Sequence, residues 1–213
     1  MSTDVTRDFA FGLPKAELHL HLEGTLEPDL KLALARKNGV DIAQSTVEEV
    51  QATYRFNDLT SFLAVYYPAM DVLQDEDDFH DLAAAYFERA RANGVVRAEC
   101  FFDPQAHTSR GIAIETVIRG YHRAVVEARE AGLSADLILC FLRDMSAESA
   151  LETLQASLPY RDMFIGVGLD SDERDNSPTK FARVFELARE AGLHVTMHCD
   201  IDQVGSIDNI RAA

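Results

Sequence analysis

Basic residues are scarce in this sequence: 20 lysines and arginines stand against 36 aspartates and glutamates, a formal net charge of −16. That excess repels a phosphate backbone and so argues against nucleic acid as a partner, while leaving a small neutral substrate open. Long apolar runs are missing as well. None approaches the roughly 18 residues of a membrane span, and Met1 to Phe11 mixes Asp4, Arg7 and Asp8 without the apolar stretch of a signal peptide. A cytoplasmic protein with no membrane partner is expected. The 3 cysteines, Cys100, Cys140 and Cys199, all fall in strand-like segments without paired spacing, which excludes a disulfide framework and predicts buried thiols. A glycine-rich phosphate turn after the first strand is absent too, which argues against a dinucleotide-binding sheet.

What is present is a sharply alternating stretch, Ala16-Glu17-Leu18-His19-Leu20-His21-Leu22-Glu23-Gly24. Its period of two is that of a strand, with Glu17, His19, His21 and Glu23 on one face and the leucines on the other. At about 3.3 Å of rise per residue, two imidazoles at i and i+2 stand roughly 6 to 7 Å apart, and rotation brings both ring nitrogens to one ion. The same alternation also suits a plain amphipathic surface strand. The choice between the two depends on a third histidine.

Down the chain, helical and strand-like segments alternate. Helices are predicted over Leu26 to Lys37, over Leu59 to Leu73 with an interruption at Pro68, and over Glu76 to Asn93. Strand Val95 to Phe102 follows, then helix Ile112 to Ala131, strand Asp136 to Leu142, helix Ser146 to Leu158, strand Phe164 to Leu169, helix Pro178 to Ala191 and strand His194 to His198. The polar segment Asp41 to Phe56 has no clear period. Strands alternating with helices of this length imply a parallel α/β sheet.

Polar residues gather where each strand stops: His21 and Glu23, Asp103, Arg143 and Asp144, Asp170, then His198 and Asp200. In a TIM-type (β/α)8 barrel that end carries the active site. Five strands are fewer than eight, so residues 1–213 read as one partial barrel domain holding the first five βα units. Strands one and five then face each other across the mouth, and His19, His21 and His198 converge as a mononuclear metal site with room for a water whose pKa the metal lowers toward about 7. His194 shares the parity of His198 but lies deeper and reads as a core or helix-facing residue. His80 and His122 fall within helices and read as solvated or packed.

The run Leu13 to Leu26, with Leu-Pro-Lys before His-x-His and Glu-Gly-Thr-Leu after it, resembles the opening motif of the adenosine/adenine deaminase family of the amidohydrolase superfamily. The resemblance spans essentially the whole chain. Phe101-Phe102-Asp103-Pro104-Gln105-Ala106-His107-Thr108, and Glu23 in place of the aspartate usual in adenosine deaminases, resemble the adenine deaminase branch. The resemblance implies zinc-dependent hydrolytic deamination of a 6-aminopurine at C6, releasing ammonia, with His19, His21 and His198 as ligands of one zinc. Ile165-Gly166-Val167-Gly168 offers none of the bridging lysine found in binuclear relatives. Glu23, whose longer carboxylate takes space a ribose would use, Asp103 and Ser171 are the implied substrate contacts.

The sequence departs from the family at strand five. The family's His-Ala-Gly-Glu places a proton-donating glutamate where this chain has Ile201, within His198-Cys199-Asp200-Ile201-Asp202, so Asp200 and Asp202 are the candidate acids. Their shorter side chains move a carboxyl by about 1 Å, enough to cost about 10²-fold. Counterparts of the family's strand-six histidine and strand-eight aspartate are absent before Ala213. Three functions therefore compete: an adenine deaminase, a deaminase of adenosine or another N6-substituted purine, and a catalytically incomplete fragment or pseudoenzyme. The open sheet edges of the third predict association, as a homo-oligomer for example, or unfolding.

Overall fold

The computed structural model describes residues 2–199 and 205–212, with nothing said of the side chains of residues 2–5. Its strands are β1 (Lys15–His21), β2 (Val95–Phe102), β3 (Ser134–Leu142), β4 (Gly166–Asp170) and β5 (His194–Val195), all parallel and in the order β1-β2-β3-β4-β5. Its helices are α1 (Ser2–Gly12), α2 (Pro28–Asn38), α3 (Val47–Ala52), α4 (Leu59–Ala69), α5 (Glu76–Ala92), α6 (Pro104–Thr108), α7 (Ile114–Glu130), α8 (Ala147–Ser157), α9 (Ala182–Glu190) and α10 (Ser206–Ala212). Each strand-to-strand crossover carries helix, as an α/β parallel sheet requires. No helix among the described residues is long and apolar enough to cross a membrane.

Local chemistry accounts for most element ends. A capping box joins Asp75 to Asp78 at the start of α5, and Gly39, at φ 63°, closes α2 in the left-handed conformation that glycine tolerates. Several elements and boundaries differ from the sequence reading. Pro28 sets the first turn of α2, so Leu26 and Glu27 stay outside it. Pro68 sits in the last turn of α4 and does not interrupt it; the 3₁₀ turn Met70–Val72 follows. Helix α1 was not anticipated. Nor was α6, where Pro104 stops the β2 ladder and is also suited to a first helical position. β5 is regular only over two residues, yet backbone bonds from Thr196 N to Val167 O (3.0 Å) and His198 N to Leu169 O (2.9 Å) carry it along β4 to the predicted end.

The sheet has two unlike faces. Ala98, Cys100 and Phe102 point to the helices and join the main core with Phe79 of α5 and Ile118 and Tyr121 of α7. Phe101, Ile138 and Cys140 form a smaller cluster on the other face. A register shift in β1 between Glu17 and Leu20 sets three residues against two of β2 and changes the alternation. Glu17 therefore turns to the helices, where Tyr86 of α5 donates to it at 2.8 Å, while His19 and His21 take the face of Phe101. β1 and β5 are the edges of the sheet among the described residues, and Leu18 on β1 is 55% exposed.

Helices α5 and α7 pack at glycine distance. A Cβ on Gly120 would stand 2.5 Å from the Glu76 carbonyl and 2.6 Å from Phe79 Cβ. One of those neighbours is backbone, so relief needs the helices to part, and overpacking of this kind costs about 1–3 kcal/mol. Gly120→Ala should lower the unfolding free energy by about that amount; an unchanged urea midpoint would count against close helix approach as the reason for the glycine.

Candidate functional site

At the C-terminal ends of the strands, His19 and His21 leave β1 and His198 leaves the extension of β5. The Nε2 atoms of His19 and His198 are 2.8 Å apart, and those of His21 and His198 are 2.9 Å apart. The rings of His19 and His21 stack on Phe101 with centroids at 4.4 and 5.1 Å, which fixes their planes. Three ring nitrogens this close repel through their lone pairs unless a proton or a cation lies among them. The three side chains form one of the groups of donors gathered tightly enough to hold a metal ion.

Behind His21 stand two buried carboxylates. Its Nδ1 lies 3.3 Å from Asp170 Oδ2 and 3.9 Å from Asp103 Oδ1. A carboxylate at Nδ1 keeps that nitrogen protonated, so Nε2 is free to act as a donor to a metal. Burial alone would lower the basicity of His21, but the hydrogen bonds and charges of Asp103 and Asp170 outweigh it and push the ring up to about 10. Burial and then the charge of Asp170 push Asp103 up to about 7. His198 moves the other way, to about 4, through burial and then the charges of His21 and His19. The donor set fits a zinc-type ion: His19 and His198 are shifted toward the neutral form that binds metal, and His21, oriented by its carboxylates through Nδ1, would give up any Nε2 proton to the ion.

The main chain of His198 is anchored by Arg143, which follows β3. Arg143 donates from Nη1 to the His198 carbonyl at 2.9 Å and from Nε to the Asn176 carbonyl at 2.9 Å, and lies 3.4 Å from Glu173 Oε2. The arginine side chain is fully buried and that of Glu173 is 3% exposed.

A cleft of about 640 Å³ opens over the imidazoles, bounded by Phe62, Leu63, Tyr66 and Tyr67 of α4, by Ser171 and by Cys199. Ser171 holds φ at 71°, a strained value for a residue with a side chain. Of the predicted substrate contacts, Ser171 lies on the cleft wall, whereas Glu23 and Asp103 lie behind it. Glu23 cannot occupy space in the cleft because its Oε1 is held by three donors: Asp103 N at 3.1 Å, His107 Nε2 at 3.2 Å and Tyr121 OH at 3.1 Å. The candidate acids Asp200 and Asp202 lie outside the described residues.

Cys199 is half-buried, unlike the buried Cys100 and Cys140, because it follows His198 onto the cleft rim. His194 is exposed, not in the core or against a helix, since it lies on the helix-free face at the far end of β5. His80 lies 2.9 Å from both Asp81 and Glu127, and His122 is half-buried. His107 and Tyr121 were not singled out in the sequence as parts of the site, and Arg143 was named only among the polar residues at strand ends. His107 sits in the quoted Phe101 to Thr108 segment, which was the available signal; nothing local marks Tyr121.

The adenosine deaminase family model matches residues 14–210. An adenine deaminase of Geotalea uraniireducens is 56% identical over 87% of this chain and 53% of its own length. Among solved structures, an adenine deaminase from Arthrobacter aurescens is 48% identical with a TM-score of 0.90, covering 94% of this chain and 61% of its own. An amidohydrolase from Burkholderia ambifaria with bound Zn is 30% identical with a TM-score of 0.82, covering 100% of this chain and 59% of its own. The chain spans 52 to 62% of the length of the curated relatives it matches. These likenesses agree with a parallel sheet forming part of an amidohydrolase barrel.

The Arg143 and Glu173 pair makes a direct test of how the third histidine is held. Removing one partner of a buried ion pair costs about 3–5 kcal/mol. Arg143→Met should reduce stability by about that much in urea denaturation; a loss below about 1 kcal/mol would show that His198 does not rely on this anchor.

Proposed function

The chain belongs to the adenosine deaminase family, and from that footing we propose that the protein it forms is a purine aminohydrolase that converts adenine and water to the 6-oxopurine and ammonia. The observation that carries this reading is the convergence of three Nε2 atoms within 2.9 Å contacts at the floor of an aromatic cleft. The adenine preference is supported by the 56% and 48% identities to proteins named adenine deaminase. A single zinc is the proposed cofactor, on the strength of the donor set and of the relative with bound Zn. When bound, such an ion supplies an activated water near neutral pH.

The residues of the chain do the rest. His19, His21 and His198 would hold the ion, with Asp170 and Asp103 fixing the tautomer of His21. The aromatic rings of Phe62, Tyr66 and Tyr67 line the cleft and suit a planar heteroaromatic ligand. Ser171 stands on the wall where polar edges of the ring can be read. Asp200 or Asp202, two and four residues beyond His198, is the proposed proton donor to a ring nitrogen, which must be protonated as the amine leaves.

The fragment reading retains a specific motive: the chain spans 62% of the length of one curated relative and 53% of another, and β1 and β5 are open edges among the described residues. Turnover and metal binding separate the two. With zinc supplied, loss of adenine absorbance and stoichiometric ammonia are expected for an enzyme, whereas one bound zinc without turnover indicates a metal-binding fragment. Adenosine turned over faster than adenine would overturn the substrate assignment. His19→Ala and His198→Ala should each weaken zinc binding by at least about 100-fold, beyond the loss typical of outer-shell partners. Retention of zinc by both variants would remove the site from consideration.

A further inference from the structure

Behind the imidazoles lies a buried polar hub that the reaction itself does not call for. Glu23, just past β1, gathers the backbone N–H of Asp103, the His107 ring and the Tyr121 hydroxyl on one oxygen, while its Oε2 is buried without a partner. The side chains of Glu23 and His107 are fully buried. The protonation of His107 follows from its other neighbour. Arg110 lies 2.9 Å from His107 Nδ1, and a guanidinium can only donate, so Nδ1 accepts and Nε2 carries the hydrogen given to Glu23. Arg110 is itself held by donation to the carbonyls of Met70 at 2.8 Å and Leu73 at 2.7 Å. The edge of Phe79 closes the hub, its ring 4.8 Å from His107 and 5.3 Å from Tyr121.

Burying a carboxylate and an imidazole costs more than packing apolar groups there, and stability alone gives no reason for it. The hub points at His21. Glu23 grips the main chain at Asp103, the residue just past β2, and the Asp103 carboxylate faces His21 Nδ1 beside Asp170. Tyr66 donates to the other Asp103 oxygen at 3.4 Å. Glu23 also follows His21 by two residues, so the same grip fixes the exit of β1.

We propose that His107 and Tyr121 are positioning residues for the histidine metal centre, acting through Glu23 and Asp103 on the orientation of His21. The assignment rests on the metal-binding reading above and adds a set of residues, on α6 and α7, that touch neither metal nor substrate. Outer-shell partners of metal-binding histidines are worth about 10- to 100-fold in affinity. His107→Leu removes the donor to Glu23 and the acceptor for Arg110; His107→Gln keeps an amide that can do both; Tyr121→Phe removes one donor at nearly constant volume.

The test measures zinc affinity by competition with a chelator, the visible spectrum of the cobalt-substituted protein, and the thermal transition of each variant. Expected are at least about 10-fold weaker zinc binding in His107→Leu, at least about 3-fold in Tyr121→Phe, and a shifted cobalt spectrum in both, with His107→Gln within about 3-fold of the parent. Parent-like zinc affinity and cobalt spectrum in a folded His107→Leu would overturn the proposal. If that variant does not fold, the same result in Tyr121→Phe overturns it. Failure of the parent protein to bind zinc or cobalt is a different outcome, because it removes the metal centre on which the positioning role depends.

Discussion

Three ring nitrogens forced into mutual contact are the constraint on which this structure turns. Imidazoles at 2.8 and 2.9 Å do not settle there for packing alone, since their lone pairs oppose one another unless a proton or a cation lies between them. The surrounding protein has to hold them, and it does so from three directions. Phe101 fixes the planes of the two rings on β1, Asp170 and Asp103 fix the outward nitrogen of His21, and Arg143 fixes the carbonyl of His198. Each support is buried, so each is strong in a low-dielectric setting and each demands its own partners.

Those demands explain the unusual polarity behind the sheet. Asp103, Asp170, Glu23, His107, Arg143 and Glu173 are all buried, in positions where apolar side chains would serve the core at less cost. Their hydrogen bonds run between elements distant in sequence, such as Glu23 to Tyr121 and Arg143 to Asn176. The helices on the outer face thus have two tasks. α5 and α7 close the apolar core around Phe79 and Ile118, and α7 also carries the hydroxyl that reaches Glu23.

The parts of this arrangement that were legible in the sequence are those with local, periodic signatures. Alternation around His19 and His21, helices ending in glycine, and polar residues at successive strand ends led to a parallel α/β sheet with its site at the C-terminal edge, and the solved relatives agree with it. What was hidden depends on register or on long-range contact. Simple alternation placed Glu17 and Glu23 with the histidines, but the shift between Glu17 and Leu20 sends the first to Tyr86, and the 3₁₀ turn Leu22–Thr25 buries the second. A strand period carries no information about a bulge. Tyr121 is likewise ordinary in its local sequence, and Arg143 was legible only as a polar residue at a strand end; their partners, 98 and 55 positions away, are supplied by the fold.

The site is also shared between the two edge strands, and this links its geometry to the curvature of the whole sheet. His19 and His21 stand on β1 and His198 beyond β5, so ring contact across 179 residues of chain requires the sheet to curl until its first and last tips meet. No backbone ladder joins one edge to the other among the described strands. Close packing within the sheet accompanies the curl: at Gly166 on β4 a Cβ would lie 2.9 Å from the His194 carbonyl, and at Gly168 2.5 Å from Cys140 Sγ. Flattening the sheet would carry His19 and His21 on β1 away from His198, so the spacing of the three rings is tied to the curl of the whole sheet and not to any one helix.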